Sequence, residues 1–196
     1  RKSANGYILD MGQNMVGWLR IRVKGNAGDS VRLRFAETLQ PDGELYTANL
    51  RSAKVTDLYI LKGEGIEEWA PRFVYPGTPT LPNFTGEVVN DDMPLTGTFE
   101  CDNPILNQLV KNAFWGIRGN YKGIPLDCPQ RDERPPWLGD HTNGALGESF
   151  LMENGPLYAK WMDDIRDAQR EDGCIPDVVP AYYYYYTDNV TWPSTF

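Results

Sequence analysis

The hydrophobic period of this chain changes near residue 100, and nothing else in the sequence constrains its fold as strongly. Before that point apolar residues recur at every second position; after it they recur at every third and fourth. Trp18-Leu19-Arg20-Ile21-Arg22-Val23 and Ser30-Val31-Arg32-Leu33-Arg34-Phe35 each put apolar groups on one face. Asn26-Ala27-Gly28 separates them as a hairpin loop would, and Asp42-Gly43 marks another turn. Leu58-Tyr59-Ile60-Leu61 and Gly86-Glu87-Val88-Val89 read as further strands. Short strands at this spacing predict an antiparallel β-sandwich over residues 1–97. On its own such a platform carries no chemistry.

From Asn103 the pattern is helical. Asn103 suits an N-cap and Pro104 the first helical position. Ile105, Leu106, Leu109, Val110, Ala113, Phe114 and Ile117 then form one stripe, predicted to be core. A second helix is predicted from Pro156, with Leu157, Trp161, Ile165 and Ala168 inward and Lys160, Asp163, Asp164 and Asp167 solvated, ending before Asp172-Gly173. Asn143 to Leu151 reads as a weaker helix, since Gly144 and Gly147 lower its propensity. Residues 98–196 thus predict a helical domain with long polar connections at 120–140 and 172–194, where catalytic groups are usually carried.

The first connection contains Asp127-Cys128-Pro129-Gln130-Arg131-Asp132-Glu133-Arg134, then Pro135-Pro136 and Trp137-Leu138-Gly139-Asp140. Carboxylates, guanidinium groups and a flat aromatic on a stiff backbone suit a sugar-cleaving pocket. One carboxyl stays protonated as an acid, others hold ring hydroxyls, and the indole covers the apolar face. The same residues equally describe a solvated acidic loop with local ion pairs.

Composition narrows the partners. Net charge −8 argues against nucleic acid or an anionic membrane surface. No apolar run is long enough to span a bilayer, and no signal peptide is evident. Cys101, Cys128 and Cys174 are an odd set without paired spacing, which predicts no disulfide scaffold. His141 is the only histidine, so a His-based triad or multi-His zinc site is nearly excluded. Six Trp and eleven Tyr give many stacking surfaces, including the run Tyr182 to Tyr186, read most simply as a half-buried loop. The chain opens almost directly into strand pattern and reads as the interior of a longer protein, which leaves a cytoplasmic or a periplasmic or secreted location equally open.

The segment from Asp127 to Asp140 resembles the signature of the bacterial and fungal α-L-rhamnosidases of glycoside hydrolase family 78. Gly12 to Trp18, Tyr46 to Lys54, Asp167 to Val178 and Asp188 to Ser194 resemble that family too. Pro135-Pro136 departs from its more flexible pair, and the passage from Tyr75 into Pro76-Gly77-Thr78-Pro79 looks as though a strand is missing. The resemblance implies a β-sandwich followed by a six-hairpin α/α toroid, of which this chain holds the first two or three helices. It implies an inverting hydrolase that releases terminal α-L-rhamnose from glycosides or polysaccharides, without a cofactor or metal. Glu133 matches the general acid; Asp127, Arg131 and Asp140 match ligands of the rhamnose hydroxyls; Trp137 and Trp192 match aromatic walls. Core packing is an equal reading for Trp192.

Nothing here matches the family's general base, so the chain alone is expected to be inactive. Leu109, Phe114, Trp161 and Ile165 would then be partly exposed, or covered by self-association. Three alternatives stand beside this reading: a non-catalytic carbohydrate-binding or interaction module, another α/α-toroid glycosidase, and a calcium site of Asp127, Asp132, Glu133 and Asp140. The spacing of those last four fits no EF-hand loop.

Overall fold

A computed structural model describes residues 1–3, 6–72, 75–76 (backbone only), 83–181, 185–187 and 189–193. The chain divides into two compact units: residues 1–90 with 129–132, and residues 91–128 with 133–196.

The first unit is antiparallel β structure. Its strands are β1 (Lys2–Ser3), β2 (Gly6–Tyr7), β3 (Val16–Lys24), β4 (Ser30–Arg34), β5 (Thr38–Leu39), β6 (Leu45–Tyr46), β7 (Thr56–Ile60), β8 (Ile66–Trp69), β9 (Tyr75–Pro76) and β10 (Phe84–Val88). β3 is central to a four-stranded sheet, with β10 on one side, β8 on the other and β9 at its start. β4 pairs with β7, β1 with β2, and β5 with β6. The residues between β3 and β4 therefore cross from one sheet to another and close no hairpin. Alternation told which face of each strand is apolar; it could not tell which strand is the partner.

Both principal sheets turn that face toward one core. Leu19 and Ile21 from β3 are buried with Phe35, Leu50 and Val55; Val31 and Leu33 from β4, Tyr59 from β7, Trp69 from β8 and Phe84 from β10 pack around them. Two sheets closing on shared apolar side chains are the sandwich arrangement. Glu67 lies buried against this core and is fully used: Tyr59 donates to it at 2.6 Å, and the amides of Lys62 and Gly63 do so at about 2.9 Å. These donors hold its carboxyl down at about 2. The apparent discontinuity after Tyr75 falls largely outside the described residues, which give only the backbone pairing of Tyr75 and Pro76 with β3.

The second unit holds three helices, α1 (Pro104–Asn120), α2 (Leu138–Ser149) and α3 (Gly155–Ala168). Asn103 caps α1 by accepting from the Ile105 amide, and Pro104 opens it. The apolar stripe of α1 is not core here: Ile105 is 76 % exposed and Leu109 59 %. Opposite outcomes meet at Trp161 and Ile165 on α3, which are fully buried rather than partly exposed. Leu138 and Val179 cover them, with Ile175 and Trp192 alongside, and the Trp161 indole donates to the Val179 carbonyl at 2.7 Å. The chain's own connection after α3 thus supplies, at Val179, cover that was expected to be missing or to come from self-association. No helix among the described residues is long and apolar enough to cross a membrane. Cys101, Cys128 and Cys174 are free thiols.

Candidate active site

The site is built on an irregular loop pinned at its neck. Leu126 donates to the Asn120 carbonyl at 2.9 Å as the chain leaves α1, and Asp127 donates to the Pro135 carbonyl at 3.1 Å. Pro135 accepts a second bond from Trp137, while Trp137 forms an antiparallel bridge with Val178. Leu138 then donates to Asp177, and Pro136 accepts from Val179. Two adjacent prolines donate nothing to this ladder but accept from both sides. α2 begins at Leu138, five residues before the predicted start, so the Trp137-Leu138-Gly139-Asp140 end of the motif is the entry to a helix. Trp137 makes no side-chain cap there, which removed the usual starting signal.

Arg134 adopts φ 54°, in the left-handed region where a non-glycine residue is strained. It directly follows Glu133. Strain of this kind concentrates where surrounding contacts over-determine a backbone, and the Asp127–Pro135 neck is such a contact.

The loop gathers some of the expected residues and leaves others apart. Ligand atoms of Asp127, Cys128 and Glu133 all lie within 4.8 Å of one another. The Trp137 indole donates to Glu133 Oε1 at 3.3 Å, and its ring meets Tyr185 edge-on with centroids 5.4 Å apart. Arg131 is half-buried. Asp140 is exposed in the first turn of α2, where a carboxylate also favours the helix dipole. Among the described residues of the second unit, Asp140 does not join the Asp127–Glu133 group. Within the first unit, Asp132 accepts from both the hydroxyl and the amide of Ser52, and these bonds lower its carboxyl from the ordinary value. The thiol and two carboxylates that do cluster differ from the all-oxygen shell that calcium takes.

Trp192 packs partly into the core around Leu138 and Trp161. A Cβ added at Gly139 would lie 2.5 Å from its ring. Of the tyrosine run, Tyr185 and Tyr186 are described: Tyr186 donates to the Ala168 carbonyl, and Arg170 lies over its ring. Tyr182 to Tyr184 and Asp188 lie outside the described residues.

Two titratable groups near the loop were not expected from sequence to play a part in it. His141 is buried between Tyr121 and Trp161, and its ring bonds to the backbone of Leu126, one residue before Asp127. Burial pushes its imidazole down to about 4, so it is neutral at ordinary pH. Lys122 donates to the Gly119 carbonyl at 2.9 Å. Burial pushes it down to about 8; Asp91 opposes that shift and Arg134 adds to it. His141 stood out in the sequence only as the single histidine, and Lys122 not at all, because a lone His or Lys is more often structural than chemical. A separate cavity of about 470 Å³ in the first unit is lined by Asp10, Gln13, Asn14 and Glu37 among others, and by none of the expected site residues.

Residues 94–196 match the family model described as bacterial alpha-L-rhamnosidase 6 hairpin glycosidase domain, and residues 1–78 match the bacterial alpha-L-rhamnosidase concanavalin-like domain. The chain belongs to the bacterial α-L-rhamnosidase family. It is 48 % identical over 186 residues to an alpha-L-rhamnosidase of Streptomyces avermitilis, covering 89 % of this chain and 18 % of that protein. Its structure is similar to that of an alpha-L-rhamnosidase from Dictyoglumus thermophilum, with TM-score 0.89 and 39 % identity over 94 % of this chain and 22 % of that one. The Streptomyces avermitilis alpha-L-rhamnosidase complexed with L-rhamnose gives TM-score 0.87 and 45 % identity, covering 94 % of this chain and 19 % of that one. This rhamnosidase-family chain thus spans about a fifth of the length of the curated relatives it matches. Its antiparallel β unit and its helices are the concanavalin-like domain and the start of the six-hairpin domain.

Proposed function

We propose that the protein carrying this chain hydrolyses terminal α-L-rhamnosides with inversion, Glu133 serving as general acid. The observation that carries this reading is the Asp127–Glu133–Trp137 group: two carboxylates and an indole held on one pinned loop. Family membership and the L-rhamnose bound by a relative support rhamnose as the sugar. Two carboxylate-bearing residues close together suit one acid and one ligand of the ring hydroxyls, since a carboxylate can bond a vicinal diol through both oxygens. An inverting mechanism also needs a base that activates water roughly 6.5–9.5 Å from the acid. That base is assigned to a part of the protein beyond this chain, so the 196-residue chain alone is inactive. Arg131, Asp140 and Trp192 complete the sugar site on this reading.

The test is the product anomer. Proton NMR of the first turnovers on an aryl α-L-rhamnoside should show β-L-rhamnose forming first and then equilibrating. Initial formation of the α anomer would replace the water-activating base with a nucleophile.

A further inference from the structure

Trp137 is fixed at both ends. Its amide donates to Pro135, its backbone bridges Val178, and its ring is held edge-on by Tyr185 at 64°. So held, its Nε1 donates to one atom, Glu133 Oε1, at 3.3 Å. An indole N–H can only donate, so the oxygen it meets must offer a lone pair. In a protonated carboxyl the carbonyl oxygen is the better acceptor, which leaves the acidic proton on the other oxygen.

We infer, resting on Glu133 as the general acid, that Trp137 is a positioning residue for proton transfer as well as a sugar-facing wall. Its N–H selects Oε2 as the oxygen that carries the proton. As the bond from the anomeric carbon to the glycosidic oxygen breaks, its electron pair stays on that oxygen and the proton of Oε2 moves to it. Water bonds to the anomeric carbon from the opposite face and gives its proton to the base. Negative charge then develops on Glu133, and the indole bond becomes charge-assisted and stronger. An interaction that strengthens along the reaction raises turnover more than affinity.

The experiment uses the full-length protein with two replacements at 137: Trp137→Phe, and the isosteric benzothienylalanine, which keeps the bicycle but has no N–H. Each is assayed on a phenyl rhamnoside, whose leaving group needs a proton, and on a 2,4-dinitrophenyl rhamnoside, which scarcely does. Loss of one charge-assisted bond predicts a fall in kcat on the phenyl substrate of about ten- to hundredfold. The loss on the dinitrophenyl substrate should be at least about fivefold smaller, and for the isostere, which keeps the wall, KM for both should stay within about threefold of the unsubstituted protein. Equal losses on both substrates, or a change confined to KM, would make Trp137 a wall only and overturn the inference. The isostere keeps the test open if Trp137→Phe does not fold. Glu133→Gln run alongside separates the two readings: if it retains phenyl rhamnoside turnover, the acid assignment falls and the inference with it. If it loses that turnover while both Trp137 replacements show equal losses, only the positioning role falls.

Discussion

The Trp192 indole occupies the space that a side chain at Gly139 would need: a Cβ there would sit 2.5 Å from Cδ2 and 2.6 Å from Cε2 of the ring. Gly139 is buried in the first turn of α2, so the contact ties the end of the Asp127–Asp140 motif to an aromatic more than fifty positions later. Two effects oppose each other in Gly139→Ala. Helix propensity favours alanine by up to about 1 kcal/mol. Overpacking against a ring that cannot shrink costs about 1–3 kcal/mol, and the clash wins. If Trp192 walls the sugar as proposed, its displacement should raise KM of the full-length protein for an aryl rhamnoside several-fold while kcat changes less. Unchanged KM and melting temperature would show that Trp192 yields freely and walls nothing.

Acid should loosen the second unit before the first. His141 is held at about 4, below its ordinary 6.5, so the unfolded chain binds its proton first. Its contribution to stability is present above pH 6.5 and is lost as pH falls toward 4, a span worth on the order of 3 kcal/mol. Glu67 in the β unit is held at about 2, below its ordinary 4.5, so its contribution persists above pH 4.5 and is lost toward pH 2. Hydrogen exchange followed by mass spectrometry should therefore show α2 and α3 losing protection between pH 6.5 and 4 while β7 and β8 keep theirs. His141→Phe should flatten that first loss. A profile unaffected by the substitution would remove His141 as its cause.

How much of this was legible in the sequence differs from element to element. The start of α1 was readable because Asn103 and Pro104 act locally. Its stripe was readable as apolar by period alone, whereas the partial exposure of Leu109 and Phe114 followed only from the expectation that later helices of the toroid are missing, since periodicity records a face and not what lies over it. Trp161 and Ile165 were readable as the inward face of α3, but not as sealed by this chain itself: their cover comes from Leu138 and Val179, one before and one after α3 in sequence. The β3–β4 connection passed for a hairpin because a sheet-to-sheet crossing uses the same turn residues. In the site, the motif announced carboxylates and an indole by residue type. The neck at Asp127 and Pro135, the strained Arg134 and the Ser52–Asp132 bonds are pairings across distance, which no local pattern encodes.

Glu133 and Asp127 lie close together but should fail differently. Glu133→Gln in the full-length protein keeps the side chain's shape and cannot give a proton. Turnover of a substrate that needs leaving-group protonation should fall by about 10²–10⁴-fold, with rhamnose binding largely intact. On the proposed reading Asp127→Ala removes a sugar ligand, so ground-state and transition-state binding should weaken together and KM should carry more of the loss. Steady-state kinetics with rhamnose calorimetry distinguish them. Less than about tenfold loss for Glu133→Gln would move the acid elsewhere.

The 196-residue chain, purified alone, should hydrolyse nothing at a useful rate and should associate. Its three described helices leave Ile105 76 %, Leu109 59 %, Leu146 74 % and Phe150 70 % exposed, although Trp161 and Ile165 are sealed. Large apolar side chains exposed on neighbouring turns of a helix favour contact with another apolar surface over contact with water. Association here needs no unfolding, because the buried cluster around Trp161 stays closed. Light scattering should therefore report species heavier than one chain, and Leu109→Gln should reduce them without lowering the melting temperature of the helices. An aryl α-L-rhamnoside assay beside the full-length protein reads the activity. Turnover by a monodisperse chain within about tenfold of the full-length protein would mean that the base lies within these residues. Asp140, exposed at the start of α2, would then precede Asp132 as the candidate, because the Asp132 carboxylate is already engaged by Ser52.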